Sequence, residues 1–180
     1  MFQFCIMSKT DSLHYKLCCK CATYLRSYEG GEKITYEKYD GTEGFYIQQP
    51  YKFIAVELVT GAGELPDVWG MTGFDSVMVE VKISHNDFLA DQKKRSRREE
   101  NKYKIGNYRY YLCPAGVISK DELPEGWGLL EWDGKHINKV VQAKKFDVFN
   151  KSELMLLSSI LSREVGRSKI FNYRKTKNKY

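Results

Sequence analysis

Residues 66–84 constrain the fold of this chain more than any other stretch. Two β-rich segments, PDVWGMT (66–72) and SVMVEVKIS (76–84), flank Gly73-Phe74. Short apolar alternations on either side of a glycine-containing turn predict a β-hairpin. With Gly73 and Phe74 as its central pair, Asp67 falls directly opposite Glu80, and opposed side chains share a face with Cβ atoms about 4.5–5.5 Å apart. Lys82, two residues past Glu80, lies on that same face. Val77, Val79, Val81 and Ile83 form the alternate, core-facing series, against Met78, Glu80, Lys82 and Ser84.

The rest of the chain supplies layers for such a hairpin. Leu13, Leu17, Cys21, Tyr24 and Leu25 predict a helix over 12–27, capped by Asp11 or Ser12 and stopped by Gly30-Gly31. Residues 32–50 predict one or two short strands, and 51–59 a strand. A polar helix is expected over 86–102 with Asn86 as its cap. Further strands are expected at 108–113, ended by Pro114, at 128–132 and at 137–142. A last helix over 151–163 is expected to bury Leu154, Leu157, Ile160 and Leu161, with Ser152 as one possible cap. This order predicts an α/β sandwich around one mixed sheet, a single domain over 1–164 followed by a basic tail over 165–180.

In a sheet covered by helices both faces are mostly apolar, so charges in mid-strand call for a reason. Two carboxylates as close as Asp67 and Glu80 repel unless a cation lies between them. A hard divalent ion such as Mg²⁺ serves, taking one or two carboxylates together with water and phosphate oxygens. It lowers the pKa of bound water and offsets charge on a phosphate. Lys82 can then position or deprotonate an attacking water or bind a phosphate oxygen, and the Val81 main-chain carbonyl is a further ligand. The plain alternative is a wet Glu80–Lys82 surface pair with an unrelated Asp67.

The net charge of +6 is unevenly spread. Arg167, Lys169, Arg174, Lys175, Lys177 and Lys179 lie in the last 16 residues without an acid among them, and a second basic run spans Lys93, Lys94, Arg95, Arg97 and Arg98. Such runs suit a polyanion such as DNA, or are merely solvated. Tyr103, Tyr108, Tyr110 and Tyr111 interleave with Lys102, Lys104 and Arg109, a pattern able to stack bases and hold phosphates or to pack within a strand. His85, just past the lysine strand, can reach the site or simply begin a helix. The five cysteines, Cys5, Cys18, Cys19, Cys21 and Cys113, are odd in number, and MFQFCIM, with Met7 as a candidate true start, lacks a basic signal region. Free thiols in the cytoplasm are expected. Zinc needs four ligands, usually as two separated pairs, so buried thiols on a helix account better for Cys18-Cys19-Lys20-Cys21. No apolar run reaches the roughly 18 residues of a membrane span.

Pro66-Asp67 followed by Glu80-Val81-Lys82 resembles the signature of the PD-(D/E)XK nuclease superfamily. Ser84-His85-Asn86-Asp87-Phe88-Leu89-Ala90-Asp91-Gln92-Lys93-Lys94 is similar to the Ser-x-x-Asp-Phe-x-x-Asp-x-Lys segment of its MmcB-like branch, a branch of DNA repair and phage nucleases. Tyr110-Tyr111-Leu112-Cys113-Pro114, Leu123-Pro124 and Trp127-Gly128-Leu129-Leu130 also resemble the downstream part of that branch, so the likeness covers about residues 50–132. The resemblance implies a restriction-endonuclease-like mixed sheet flanked by helices, Mg²⁺ or Mn²⁺ dependence, and DNA cleavage. Asp67 and Glu80 would hold the metal and Lys82 would be the catalytic lysine. Many members add an upstream glutamate, for which Glu57 and Glu64 are candidates. Glu57 is preferred because it falls on an expected strand. Asp87, Asp91 and Lys94 resemble branch positions of undefined role. The expected function is metal-dependent hydrolysis of DNA, with a homodimer suited to double-strand cutting. A catalytically inactive nucleic-acid-binding module of the same fold and a non-enzymatic interaction protein are the alternatives.

Overall fold

A computed structural model describes residues 12–27, 33–47, 50–61, 64–94, 97 and 104–165. The basic tail beyond residue 165, and Arg95, Arg98, Lys102 and Tyr103, lie outside these. Helix α1 (Leu13–Arg26) starts where Ser12 Oγ accepts the Tyr15 N–H at 3.2 Å. Next along the chain is a two-stranded antiparallel hairpin, β1 (Lys33–Glu37) and β2 (Glu43–Ile47). Six strands then form the main sheet in chain order: β3 (Phe53–Val56), β4 (Val68–Met71), β5 (Ser76–Val81), β6 (Tyr108–Pro114), β7 (Gly128–Trp132) and β8 (Ile137–Val141). Strands β5, β6 and β7 run parallel and the outer pairs antiparallel, so the sheet is mixed and the fold is α/β. Helices α2 (His85–Gln92) and α3 (Asn150–Val165) complete it.

Burial follows from the alternation. Val77, Val79 and Val81 pack with Leu17, Cys18, Cys21 and Leu25 of α1. The opposite face, with Trp69, Met78, Tyr111 and Leu129, packs with Phe88 of α2 and Leu156 of α3. All six residues of β5 are buried. The hairpin has the predicted register, with Val68 opposite Val79 and Met71 opposite Ser76. The cysteines of α1 are free, and burial raises the Cys18 and Cys21 thiols far above their ordinary range. None of the described helices is long and apolar enough to cross a membrane.

Two helices depart from expectation. Helix α2 starts two residues earlier than Asn86 would have it, because Ser84 Oγ accepts the Asp87 N–H at 3.3 Å, and it ends at Gln92. Helix α3 is rotated from the expected face. Leu157 and Ile160 pack against the core as expected, but Leu154 and Leu161 are exposed, while Ser152, Glu153 and Leu156 are buried. Glu153 sets this rotation: Oε2 accepts the Trp69 Nε1–H at 3.1 Å, and Oε1 accepts Ser76 Oγ at 3.0 Å and the Gly106 N–H at 2.7 Å. Ser152 is accordingly inside the helix rather than its cap. Glu153→Ala is expected to cost about 2–4 kcal/mol in urea unfolding, since it strands buried donors. A change under about 0.5 kcal/mol, the usual size for an inert surface site, would remove Glu153 from this role.

Candidate active site

The site forms where β4 begins and β5 ends. Continuing the hairpin register places Asp67 opposite Glu80 and Pro66 opposite Val81. The Val81 N–H, which points toward β4, is taken by Asp67 Oδ2 at 2.8 Å. Proline has no N–H to return to the Val81 carbonyl, so the Pro-Asp pair ends the ladder while keeping an acid at its edge. The Asp67 carbonyl accepts the Glu57 N–H at 2.8 Å, which ties in the chain just past β3. Glu57 lies outside the strand, in the left-handed region at φ 47°, a backbone state uncommon for a residue other than glycine.

Asp67 and Glu57 converge with a residue that sequence reasoning missed. His14 Nε2 of α1 lies 3.3 Å from Asp67 Oδ2, and its Nδ1 lies 3.7 Å from Glu57 Oε1. These side chains are about a quarter exposed, at 22–29%. The hydrogen bond to Asp67 raises the His14 pKa against the opposing effect of burial. Burial pushes Asp67 up, but His14, the Val81 N–H and Lys82 more than offset it, leaving the carboxyl below its ordinary value.

Behind this edge lies a buried network of charge. Lys82 Nζ is 3.1 Å from Glu80 Oε2 and 3.2 Å from Asp91 Oδ1. Arg97 Nη2 is 2.9 Å from Glu80 Oε1, and Arg97 also grips Asp91 through Nε at 2.7 Å and pairs with Glu64. Arg109 Nη2 meets Glu64 Oε2 at 2.6 Å. Tyr111 donates its O–H to Asp91 at 2.9 Å. Both guanidinium groups lie over the Trp127 ring, at 5.1 and 5.3 Å from its centre, a favourable cation–π placement. Glu64, Glu80 and Asp91 thus balance Lys82, Arg97 and Arg109, each with its side chain at most 5% exposed. Burial raises Glu80, against the pull of Arg97. Burial alone would lower Lys82, but Glu80 and Asp91 outweigh it, so the amine keeps its proton at neutral pH. A protonated amine can donate a hydrogen bond but cannot accept a proton.

The structure divides the sequence-predicted residues into two neighbouring groups. Asp67 and Glu57 face His14; Glu80 and Lys82 face Asp91 and Arg97. Glu64, the second upstream candidate, belongs to the buried network. Arg97 was expected in a nucleic-acid-binding run, but its guanidinium is turned inward onto three acids, since a buried carboxylate needs a partner more than water does. Lys94 stays half-exposed and pairs with Asp91 at 2.6 Å, and Lys93 is exposed. Tyr108, Tyr110, Tyr111 and Arg109 are buried, so they pack rather than face a polynucleotide. His85 Nε2 meets Glu122 Oε1 at 2.6 Å. Arg109 carried a usable signal: a charge in mid-strand of a covered sheet, the same signal that singled out Glu80. His14, on an amphipathic helix far away in sequence, carried none. Among the described residues, no three His, Cys, Asp or Glu side chains are gathered to hold a metal ion as they stand.

No protein-family model matches the chain, and no curated protein matches it. Among solved structures, a protein of unknown function from Silicibacter pomeroyi is similar at 21% identity over 66% of this chain and 84% of its own, with a TM-score of 0.46.

Proposed function

We propose that this protein is a metal-dependent nuclease that hydrolyses DNA phosphodiester bonds at Asp67, Glu80 and Lys82. One observation carries the reading: a Glu80–Lys82 ion pair at 3.1 Å, buried at the end of a central strand, with Asp67 opposite Glu80 in the hairpin register. Replacing a buried ion pair by well-packed apolar residues is often neutral or stabilising, so the packing of β5 does not itself ask for these charges. The likeness to PD-(D/E)XK nucleases points the same way.

The donors suit a hard divalent ion in kind. Asp67 and Glu80 would supply carboxylate oxygens and Val81 a main-chain carbonyl, with Glu57 at the edge, a set of oxygens of the type Mg²⁺ or Mn²⁺ takes. Arg97, at 2.9 Å from Glu80 Oε1, is a resident cation on one of those carboxylates. When bound, the metal would supply Lewis acidity to water and phosphate. The chain's own part is electrostatic. Lys82, held as an ammonium by Glu80 and Asp91, presents charge that favours a phosphate oxygen gaining negative charge and orients an attacking water. Exposed Lys93 and half-exposed Lys94 would meet the phosphate backbone.

Saturation of both Glu80 oxygens, by Lys82 and Arg97, favours a second reading: an inactive module that keeps the fold and its nucleic-acid affinity. One assay separates the two. Plasmid and single-stranded DNA are incubated with Mg²⁺ or Mn²⁺ and either wild type or Lys82→Ala purified identically. Cutting by the wild type, abolished by chelator and by the variant, is the expected result. Equal cutting by both proteins would exclude the assigned site. Salt-sensitive binding with no cutting at all would select the inactive module.

A further inference from the structure

Glu80 has two oxygens and each already holds a cation, Lys82 on Oε2 and Arg97 on Oε1. The two cations differ in how they are fixed. Lys82 lies two residues past Glu80 at the end of the same strand and is anchored a second time by Asp91. Arg97 belongs to no strand and is also held by Asp91 and Glu64, so it can leave Glu80 and keep two carboxylate partners, where Lys82 would keep one. It reaches back from beyond the end of α2, from within the basic run that starts at Lys93. Its removal would strand none of its acids: Glu64 keeps Arg109 at 2.6 Å, Asp91 keeps Lys82, Lys94 and the Tyr111 hydroxyl, and Glu80 keeps Lys82. A third cation arriving at Glu80 while Arg97 stays would place two positive charges on one carboxylate oxygen in a buried setting, where their repulsion is weakly screened.

We infer that Arg97 is a resident counter-cation which a divalent metal ion displaces from Glu80, so that docked Arg97 and metal-loaded Glu80 are alternative states of one site. This rests on the metal-dependent reading and adds that the site is held closed by its own arginine until metal arrives. Trp127, which lies under the Arg97 guanidinium, is a built-in reporter of the exchange.

The test is Mn²⁺ affinity, by isothermal titration of the full chain, for wild type, Arg97→Gln and Glu80→Gln. Arg97→Gln is expected to bind Mn²⁺ at least tenfold more tightly than wild type, and Glu80→Gln more weakly. Equal or weaker binding by Arg97→Gln, with Glu80→Gln still weakened, overturns the exchange and leaves the metal-dependent reading standing. Absence of Mn²⁺ binding in all three proteins overturns both. Because Arg97→Gln can fail to fold, the wild type is also titrated with Mg²⁺ while tryptophan emission is monitored. A saturable change that Trp127→Phe abolishes is expected. Metal binding without it overturns the exchange.

Discussion

Asp91→Ala is expected to lower the unfolding free energy by about 3–5 kcal/mol, the cost of removing one partner from a buried ion network. Lys82, Lys94, Arg97 and Tyr111 all converge on this one carboxylate, whose side chain is fully buried. Without it Lys82 retains Glu80 as its partner, and Arg97 retains Glu64 and Glu80, so the cluster is left with one excess positive charge. Asp91→Asn keeps an acceptor for Tyr111 but not the charge, and falls between. The pH dependence has a definite sign. Burial would raise the Asp91 pKa, but Arg97, Lys94 and Lys82 hold it far below its ordinary value. A carboxylate depressed in the folded state adds stability that is complete above its unfolded pKa of about 3.9 and is lost as pH falls below that. Glu80, raised by burial, opposes this as the pH falls, because its folded form takes up a proton more readily than the unfolded chain. Urea unfolding of wild type and Asp91→Asn at about pH 7 and about pH 3 therefore has a clear expectation: the gap between the proteins narrows on acidification. A gap unchanged at the lower pH would mean that the Asp91 charge is not what holds the network.

How much of this arrangement was legible in the sequence depends on the distance over which each feature is decided. The hairpin register came from local signals alone, the Gly73-Phe74 turn and the valines on alternate positions of β5. The α1 face came from Leu17, Cys21 and Leu25 at helical spacing, and β6 ended at Pro114 because proline cannot continue a ladder. The features that were not legible were decided across the fold. The face of α3 turns on Glu153, a charged residue that periodicity assigns to solvent, and it is buried only because Trp69, Ser76 and Gly106 present three donors to it. Arg97 looked like one member of an exposed basic run, since nothing near it in sequence announces that Glu64, Glu80 and Asp91 meet behind it. His14 reaches Asp67 only because α1 packs on the face of the sheet that carries Val77, Val79 and Val81. The candidate site was thus half visible. Its strand-borne part could be placed by counting residues from a turn, while its helix-borne and loop-borne partners needed the fold.

Lys82 carries the largest expected effect on activity. Under the nuclease reading, removing a positioned charge that favours the transition state costs about 10²–10³-fold in kcat, as it does for a single oxyanion-hole donor. Lys82→Ala is expected to lose at least that much. The loss should fall on kcat rather than KM, because the ammonium acts on charge that develops during the reaction and not on the ground state. Structure and chemistry make opposite demands on the choice of variant. Alanine leaves Glu80 and Asp91 facing each other in a buried space with Arg97 as their common cation, so part of its effect would be on stability. Lys82→Met fills the same volume without charge, and Lys82→Arg keeps charge but brings a planar fork to a position where the native side chain is only 4% exposed. If Lys82 acts as an ammonium at the phosphate, Lys82→Arg retains more activity than Lys82→Met at matched folded fraction, even though its larger head disturbs packing more. If Lys82 only balances its neighbours, the two variants rank by stability instead, and their kcat values, measured on folded protein, stay within about tenfold of wild type, well short of what loss of a transition-state contact removes.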